Sequence, residues 1–392
     1  MISDYVDAHA NDAISFLQAI LRVPSVTGDE EAVAKVFADK MRDAGLEVQV
    51  YEAAPHRPNL LAEWFGSVPG KRFVFNGHMD VFPPNEGDPG LYGPWSGELH
   101  DGKIYGRGAS DMKGGDAGAM MAVLFLREMG FDPKGSILLS WMVDEEKGSA
   151  LGANYLLEKG LLEGDIGLCM EPTNGDLLIA HGGIIRGHVT YRSVPHHTSQ
   201  PYPYGANAIE KAVRVMVELY KIRDRLLAVT PPFGFDKPCL SIALFEGGMA
   251  ANVHPDSARF WFDRRVNIDE NHEEALSEIV RVLDAFKARD PAYAYELQIT
   301  NNRPFLNVPE DHPFVDVCKR SFKAITGREL KMYRRAGGSD GGNINHFNGM
   351  AIPNFGAALD YEDSGKPNEK IDVNAYLEFI KVYMMICVNA LS

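Results

Sequence analysis

The sequence predicts an α/β fold: a mainly parallel central sheet flanked by helices, with a smaller α+β domain inserted into it. Two observations carry this. Apolar strand-like runs at 60–65, 72–76, 136–143 and 165–170 are interleaved with helical patterns at 112–129 and 148–159, the order of a sheet covered on both faces. Between 183 and 298 the texture changes to strand, helix, two strands, helix and strand. That order fits an open-faced, ferredoxin-like sandwich. The expected division is 1–182 with 299–392 for the larger domain and 183–298 for the insert. A chain of 392 residues has room for both, since single cores rarely grow past about 250–300 residues.

In chain order, helices are expected at 4–22 and 29–44. The second is capped by Thr27 or Asp29, with Glu30 and Glu31 in its first turn. A strand over 46–51 follows Gly45, and a Pro/Gly-rich loop occupies 81–97 after the strand at 72–76. In the insert, strands at 184–191, 240–246, 258–266 and 293–300 alternate with helices at 205–226 and 273–288. An amphipathic helix over 373–390 closes the chain.

Hydrophobic content of 45% and charged content of 24% describe an ordinary globular chain. A formal charge of −15 disfavours nucleic acid and anionic membrane as partners. No apolar run reaches the roughly 18 residues of a membrane span. The N-terminus has no basic stretch before an apolar core, so no signal peptide is expected. Cys169, Cys239, Cys318 and Cys387 are scattered without a C-x-x-C pair. They read as buried thiols of a cytoplasmic protein.

The chemistry concentrates in a few short segments. Asn76-Gly77-His78-Met79-Asp80 closes an apolar run. Side chains two apart on an extended backbone point the same way, so His78 reads as a metal ligand with Asp80 behind it. Asp111 follows in a Gly-rich loop that opens a helix. Asp144-Glu145-Glu146 and Glu171-Pro172 each end a buried strand run. Ligands in such sheets gather at the carboxyl ends of the strands. Asp111 is the candidate to bridge two metals, and a glutamate beside them would move a proton from water to a leaving nitrogen. Taken singly, each acid is as ordinary as a helix cap or a solvated charge; their joint placement points to metal-dependent hydrolysis. Gly114-Gly115 lacks the Lys-Ser/Thr of a phosphate loop.

These motifs resemble the co-catalytic zinc family of aminoacylases, glutamate carboxypeptidases, acetylornithine deacetylase and succinyl-diaminopimelate desuccinylase. The resemblance covers nearly the whole chain. It runs through residues 23–30, Gly77-His78-Met79-Asp80, the long match over 101–115, Asp144-Glu145-Glu146 and Glu171-Pro172-Thr173. It implies His78, Asp111 and Glu171 around one zinc ion, with Asp111 bridging to a second held by Glu146. Glu145 would be the general base, Asp80 the partner of His78, and the Asp111–Met112 peptide cis. In the insert, His197-Thr198-Ser199-Gln200-Pro201 before Gly205 is similar to a lid segment whose histidine donates to the developing oxyanion. His197 is preferred to His196 by the proline four residues on. Asn252, Arg265 and Gly338 match positions that grip the substrate carboxylate. The resemblance further implies a small N-acyl amino acid or peptide as substrate, and a homodimer formed through the lid.

One position departs from the pattern. The family places a metal-ligating histidine where this chain has Gly365, four residues before Glu369. Asp360, Glu362 or Asp363 would then stand in, giving a harder, weaker, all-oxygen second site suited to manganese or cobalt. His346 is a further candidate. The competing reading is a chain that keeps the fold and a single metal as a ligand-binding protein with impaired catalysis.

Overall fold

The computed structural model describes residues 1–85, 91–200, 206–358 and 363–392. The chain divides into two compact units. The first comprises Met1–Ala180, Leu306–Tyr333 and Ser339–Ser392, and the second His181–Phe305 with Arg334–Gly338.

The first unit is built on a five-stranded sheet in the order Val48–Glu52, Pro58–Phe65, Lys134–Met142, Val68–His78, Ile166–Cys169. The last three strands run parallel, and a bridge from Cys169 to Asn354 extends that side. The first two pair antiparallel at the other edge. Parallel strands buried on both faces read as unbroken apolar runs, and residues 73–78 are buried without interruption. Phe73 and Phe75 pack edge-on against Phe314 and Tyr383, which lie on helices Pro313–Thr326 and Val373–Leu391. Helix Lys113–Glu128 packs on Val373–Leu391 and on the strand Val68–His78. Helix Asp340–Asn348 packs against the strands Val68–His78 and Ile166–Cys169 and against Ala153–Glu158.

The second unit is a four-stranded antiparallel sheet in the order Cys239–Gly247, Ser257–Val266, Gly183–Arg192, Tyr295–Arg303. Helices Ala208–Leu227 and His272–Arg289 pack on this sheet and on each other. Along Ser257–Val266 every second residue is buried, the period of a sheet with one covered face. This is the ferredoxin-like order expected.

Several local expectations are corrected. The first helix is broken at His9 into Ile2–Ala8 and Ala10–Leu21, because His9 leaves helical geometry at φ −110 and ψ 18. Helix Glu31–Asp43 has Glu30 at its cap position with no side-chain capping bond. Thr27 spends its hydroxyl on Asp80 instead. A boundary at 298 falls inside the strand Tyr295–Arg303, which pairs along its length with Gly183–Arg192. The second unit therefore runs on to Phe305 and regains Arg334–Gly338. Among the described residues no helix is long and apolar enough to cross a membrane. The four cysteines are free thiols.

Gly77 lets the strand lie close to the helix behind it. A Cβ there would stand 1.7 Å from Oδ1 of the fully buried Asp116 and 3.2 Å from Cε of Met112. Overpacking of this kind costs about 1–3 kcal/mol. Gly77→Ala is expected to lower the urea unfolding free energy by that amount.

Candidate metal centre

His78 ends the middle one of the three parallel strands. Its neighbours Lys134–Met142 and Ile166–Cys169 run on at their carboxyl ends into Glu145 and Glu171. Parallel neighbours must bring their carboxyl ends to one edge, so residues far apart in sequence meet here. Asp111 comes from the loop before helix Lys113–Glu128, and its peptide bond to Met112 is cis.

The His78 ring is 1% exposed. Its Nδ1 lies 2.9 Å from the backbone carbonyl oxygen of Asp80, whose carboxylate Oδ1 is farther off at 3.6 Å. A ring that donates Nδ1–H to a carbonyl presents the Nε2 lone pair to an ion. That nitrogen stands 3.2 Å from Asp111 Oδ1 and 3.9 Å from both Glu145 Oε2 and Glu171 Oε1. Two overlapping three-ligand groups result: His78 with Glu145 and Glu171, and His78 with Asp111 and Glu146. Both share the one imidazole.

Besides facing His78 at 3.6 Å, the Asp80 carboxylate serves neighbours that the sequence does not suggest. It accepts the Thr27 hydroxyl at 2.8 Å and the backbone N–H groups of Glu145 and Glu146 at 3.1 and 3.2 Å. Asp80 thus holds the turn that carries both glutamates. Those glutamates lie in a short 3₁₀ turn, Glu145–Lys147, beyond the end of the strand. Asp144 before them adopts φ 71, a left-handed conformation that Asp tolerates better than most residues. Its carboxylate accepts the Leu151 N–H at 3.1 Å and faces Arg57, which also grips the buried Glu30 at 2.6 and 2.7 Å.

Electrostatics fit a cation. Burial pulls the His78 ring down, but the hydrogen bond to Asp111 and the charges on Glu145 and Asp80 outweigh it and hold the ring well above 6.5. Burial and the Asp111 charge push the Glu146 carboxyl well above its usual range. Glu146 Oε1 is buried and has no hydrogen-bond partner among the described residues. A carboxylate oxygen in that position is one that a metal ion would satisfy. The donor set of one imidazole and several carboxylates suits zinc, with harder ions at positions served by oxygen alone.

Replacements for the absent histidine are narrowed. Gly365 adopts φ 68, and among the described residues a Cβ there would touch Phe82 alone, at 3.5 Å. The buried Asp363 is engaged by Lys370 at 2.5 Å. His346 is exposed on the helix Asp340–Asn348 and belongs to neither three-ligand group. Asp360 and Glu362 lie outside the described residues, as do Pro201 and Gly205 of the lid-like segment. Sequence reasoning missed Thr27 and gave Glu369 no role; the signal for Glu369 was an acid at a fixed offset from a motif position.

The remaining candidates lie in the second unit. Strand His196–His197 pairs with Val253–His254, and the Thr198 N–H donates to the Asn252 carbonyl at 3.0 Å. His197 is exposed, and its Nδ1 accepts the Ser199 N–H at 3.2 Å. The same Nδ1 lies 2.7 Å from Ser199 Oγ, and a neutral ring that accepts from Ser199 there carries its proton on Nε2. Arg265 pairs with Asp263 at 2.6 and 3.2 Å and lines a cleft of about 250 Å³ with Asp236, Lys237, Cys239 and Asn267. Arg264, next to it, is buried against Glu270. A Cβ at Gly338 would stand 2.6 Å from Arg303 Cδ, so a side chain there would displace that arginine.

The profile of Peptidase family M20/M25/M40 matches residues 74–389. A succinyl-diaminopimelate desuccinylase of Methylorubrum populi is 34% identical over 344 residues, 83% of this chain and 86% of the relative. One from Rhodopseudomonas palustris is 31% identical over 350 residues, covering 86% and 88%. Among solved structures, an M20 family metallo-carboxypeptidase from Sulfolobus solfataricus superposes with a TM-score of 0.77 at 16% identity, over 96% of this chain and 98% of that one. A dinuclear metal-binding M20 peptidase of Bacillus subtilis gives 0.70 at 17%, over 98% and 99%.

Metal uptake at this centre has to displace protons. The raised His78 and Glu146 values mean that the metal-free fold binds more protons than the unfolded chain, so it loses stability as pH rises through those folded values. Zinc binding is therefore expected to release protons in the pH range where those groups still hold them. Affinity should rise about tenfold per pH unit for each proton displaced. Calorimetry in buffers of different ionisation enthalpy measures both.

Proposed function

The chain belongs to peptidase family M20/M25/M40, and from that premise we propose that this hydrolase is a zinc-dependent deacylase. Its substrate would be a small N-acyl amino acid or peptide with a free carboxylate. The observation that carries the reading is the single buried imidazole nitrogen of His78 facing carboxylates from Asp111, Glu145 and Glu171 within 3.9 Å. His78, Asp111 and Glu171 would hold one zinc ion, and Asp111 with Glu146 a second, more oxygen-rich position. Bound there, zinc supplies Lewis acidity for water activation and carbonyl polarisation.

The protein's own groups would do the rest. Glu145, 5% exposed beside His78, would take a proton from the attacking water and return it to the leaving nitrogen. His197, with its proton on Nε2, would donate to the developing oxyanion. Arg265, with Asn252 and the backbone at Gly338, would receive the substrate carboxylate, for which a guanidinium fork is suited. An acyl group of the succinyl type is the first choice, on the strength of the relatives' names. Free thiols suit a reducing cytoplasm. Self-association is proposed through the second unit, where the edge strand Cys239–Gly247 exposes Leu244 and Phe245 and the helix Ala208–Leu227 exposes Val213 and Val217. Unpaired strand edges of this kind template pairing.

Zinc-loaded protein is expected to hydrolyse N-succinyl or other N-acyl amino acids in a substrate panel. Glu145→Gln should reduce turnover by roughly 10²–10⁴-fold while zinc content by elemental analysis stays unchanged. Full activity in that variant would remove the base, and lost zinc would reassign Glu145 as a ligand. Light scattering should give twice the chain mass of 43.3 kDa, falling to the monomer in a Val213→Glu, Val217→Glu variant.

A further inference from the structure

We propose that Ser364 and Glu369 are positioning residues that clamp Asp111, one by its carboxylate and the other by its main chain. The inference rests on the metal reading above and concerns residues for which that reading has no task.

Glu369 is 2% exposed. Its Oε1 accepts the backbone N–H groups of Gly108, Ser110 and Asp111, each at 3.0 Å. Its Oε2 receives Nη1 of Arg107 at 3.0 Å, a guanidinium that also reaches the Lys366 carbonyl at 3.1 Å. The Gly106 N–H donates to the Glu369 carbonyl at 2.9 Å. The whole approach to Asp111 is thus tied to one buried side chain from the far end of the sequence. A carboxylate oxygen accepting several N–H groups fixes the loop that supplies them.

Ser364 acts on the other end of the same residue. Its hydroxyl donates to Asp111 Oδ2 at 2.5 Å, while Oδ1 faces His78 Nε2 at 3.2 Å. The two oxygens of Asp111 therefore face different groups: Oδ2 accepts a hydroxyl that fixes the plane of the carboxylate, and Oδ1 lies toward the His78 ring. Groups that orient a ligand in this way change metal affinity by roughly 10–100-fold when removed. Gly365 lies between them in left-handed conformation. The segment that lacks the expected ligand keeps hold of the Asp111 loop.

The test measures zinc dissociation constants against a competing chelator at fixed pH, together with the melting midpoint of each metal-free protein. Ser364→Ala should weaken zinc binding about 10–100-fold with little change in melting, and Ser364→Thr, which keeps the hydroxyl, should restore it. Glu369→Gln should weaken binding by a similar factor; if it fails to fold, the Ser364 pair decides. Constants within twofold of the parent in Ser364→Ala and Glu369→Gln would overturn the clamp while leaving the metal centre intact. A parent protein that takes up no zinc would sink the metal reading and the clamp together.

Discussion

Repulsion among the buried carboxylates that converge on His78 is the constraint around which the rest of the first unit is arranged. Two like charges 4 Å apart at an effective dielectric of about 20 oppose each other by about 4 kcal/mol. Several such pairs would consume a net stability that is typically only 5–15 kcal/mol. Without an ion the fold answers by retaining protons, as the raised values at His78 and Glu146 show. A cation removes the need for those protons. Site and stability are one problem here.

The scaffold deals with the acids outside the two candidate ligand groups by surrounding them with donors. Asp80 collects the Thr27 hydroxyl and two backbone N–H groups, which fixes the Glu145–Lys147 turn. Glu30 takes both arms of Arg57 and the Gly28 N–H. Glu369 takes three N–H groups and Arg107. Charge-assisted bonds of this kind are among the stronger local restraints a protein makes. Each leaves a neighbouring ligand fewer orientations to lose on binding, which is what pre-organisation means in energetic terms.

Much of this was legible in the sequence because it rests on local periodicity. The unbroken apolar runs placed the parallel strands, and acids at their carboxyl ends placed His78, Glu145, Glu146 and Glu171 at one rim. Restraints between distant segments were not legible. Thr27 looked like a helix cap because its hydroxyl's actual acceptor, Asp80, lies 53 positions away. The partners of Glu369 lie about 260 positions upstream, and no spacing rule reaches that far. The break at His9 was equally invisible, since the apolar pattern continues through it while the backbone turns. In the second unit, the order of strand and helix runs gave the sandwich, but only the pairing register revealed that Tyr295–Arg303 stays whole beyond residue 298.

The glycine at 365 separates two tasks that one motif normally combines. A histidine there would supply a ligand, and the glutamate four residues on anchors the loop of another ligand. These depend on different things: the first on a side chain, the second on the path of the backbone into Glu369. Loss of the first therefore need not disturb the second. Here the path is kept, with Gly365 in a conformation that glycine adopts without strain and Glu369 still bonded to the Asp111 loop. Ser364 adds a bond to Asp111 Oδ2. Among the described residues the candidate metal-binding groups draw on one imidazole, with carboxylates completing them. Such a donor set moves the affinity order toward harder ions at whichever position His78 does not serve.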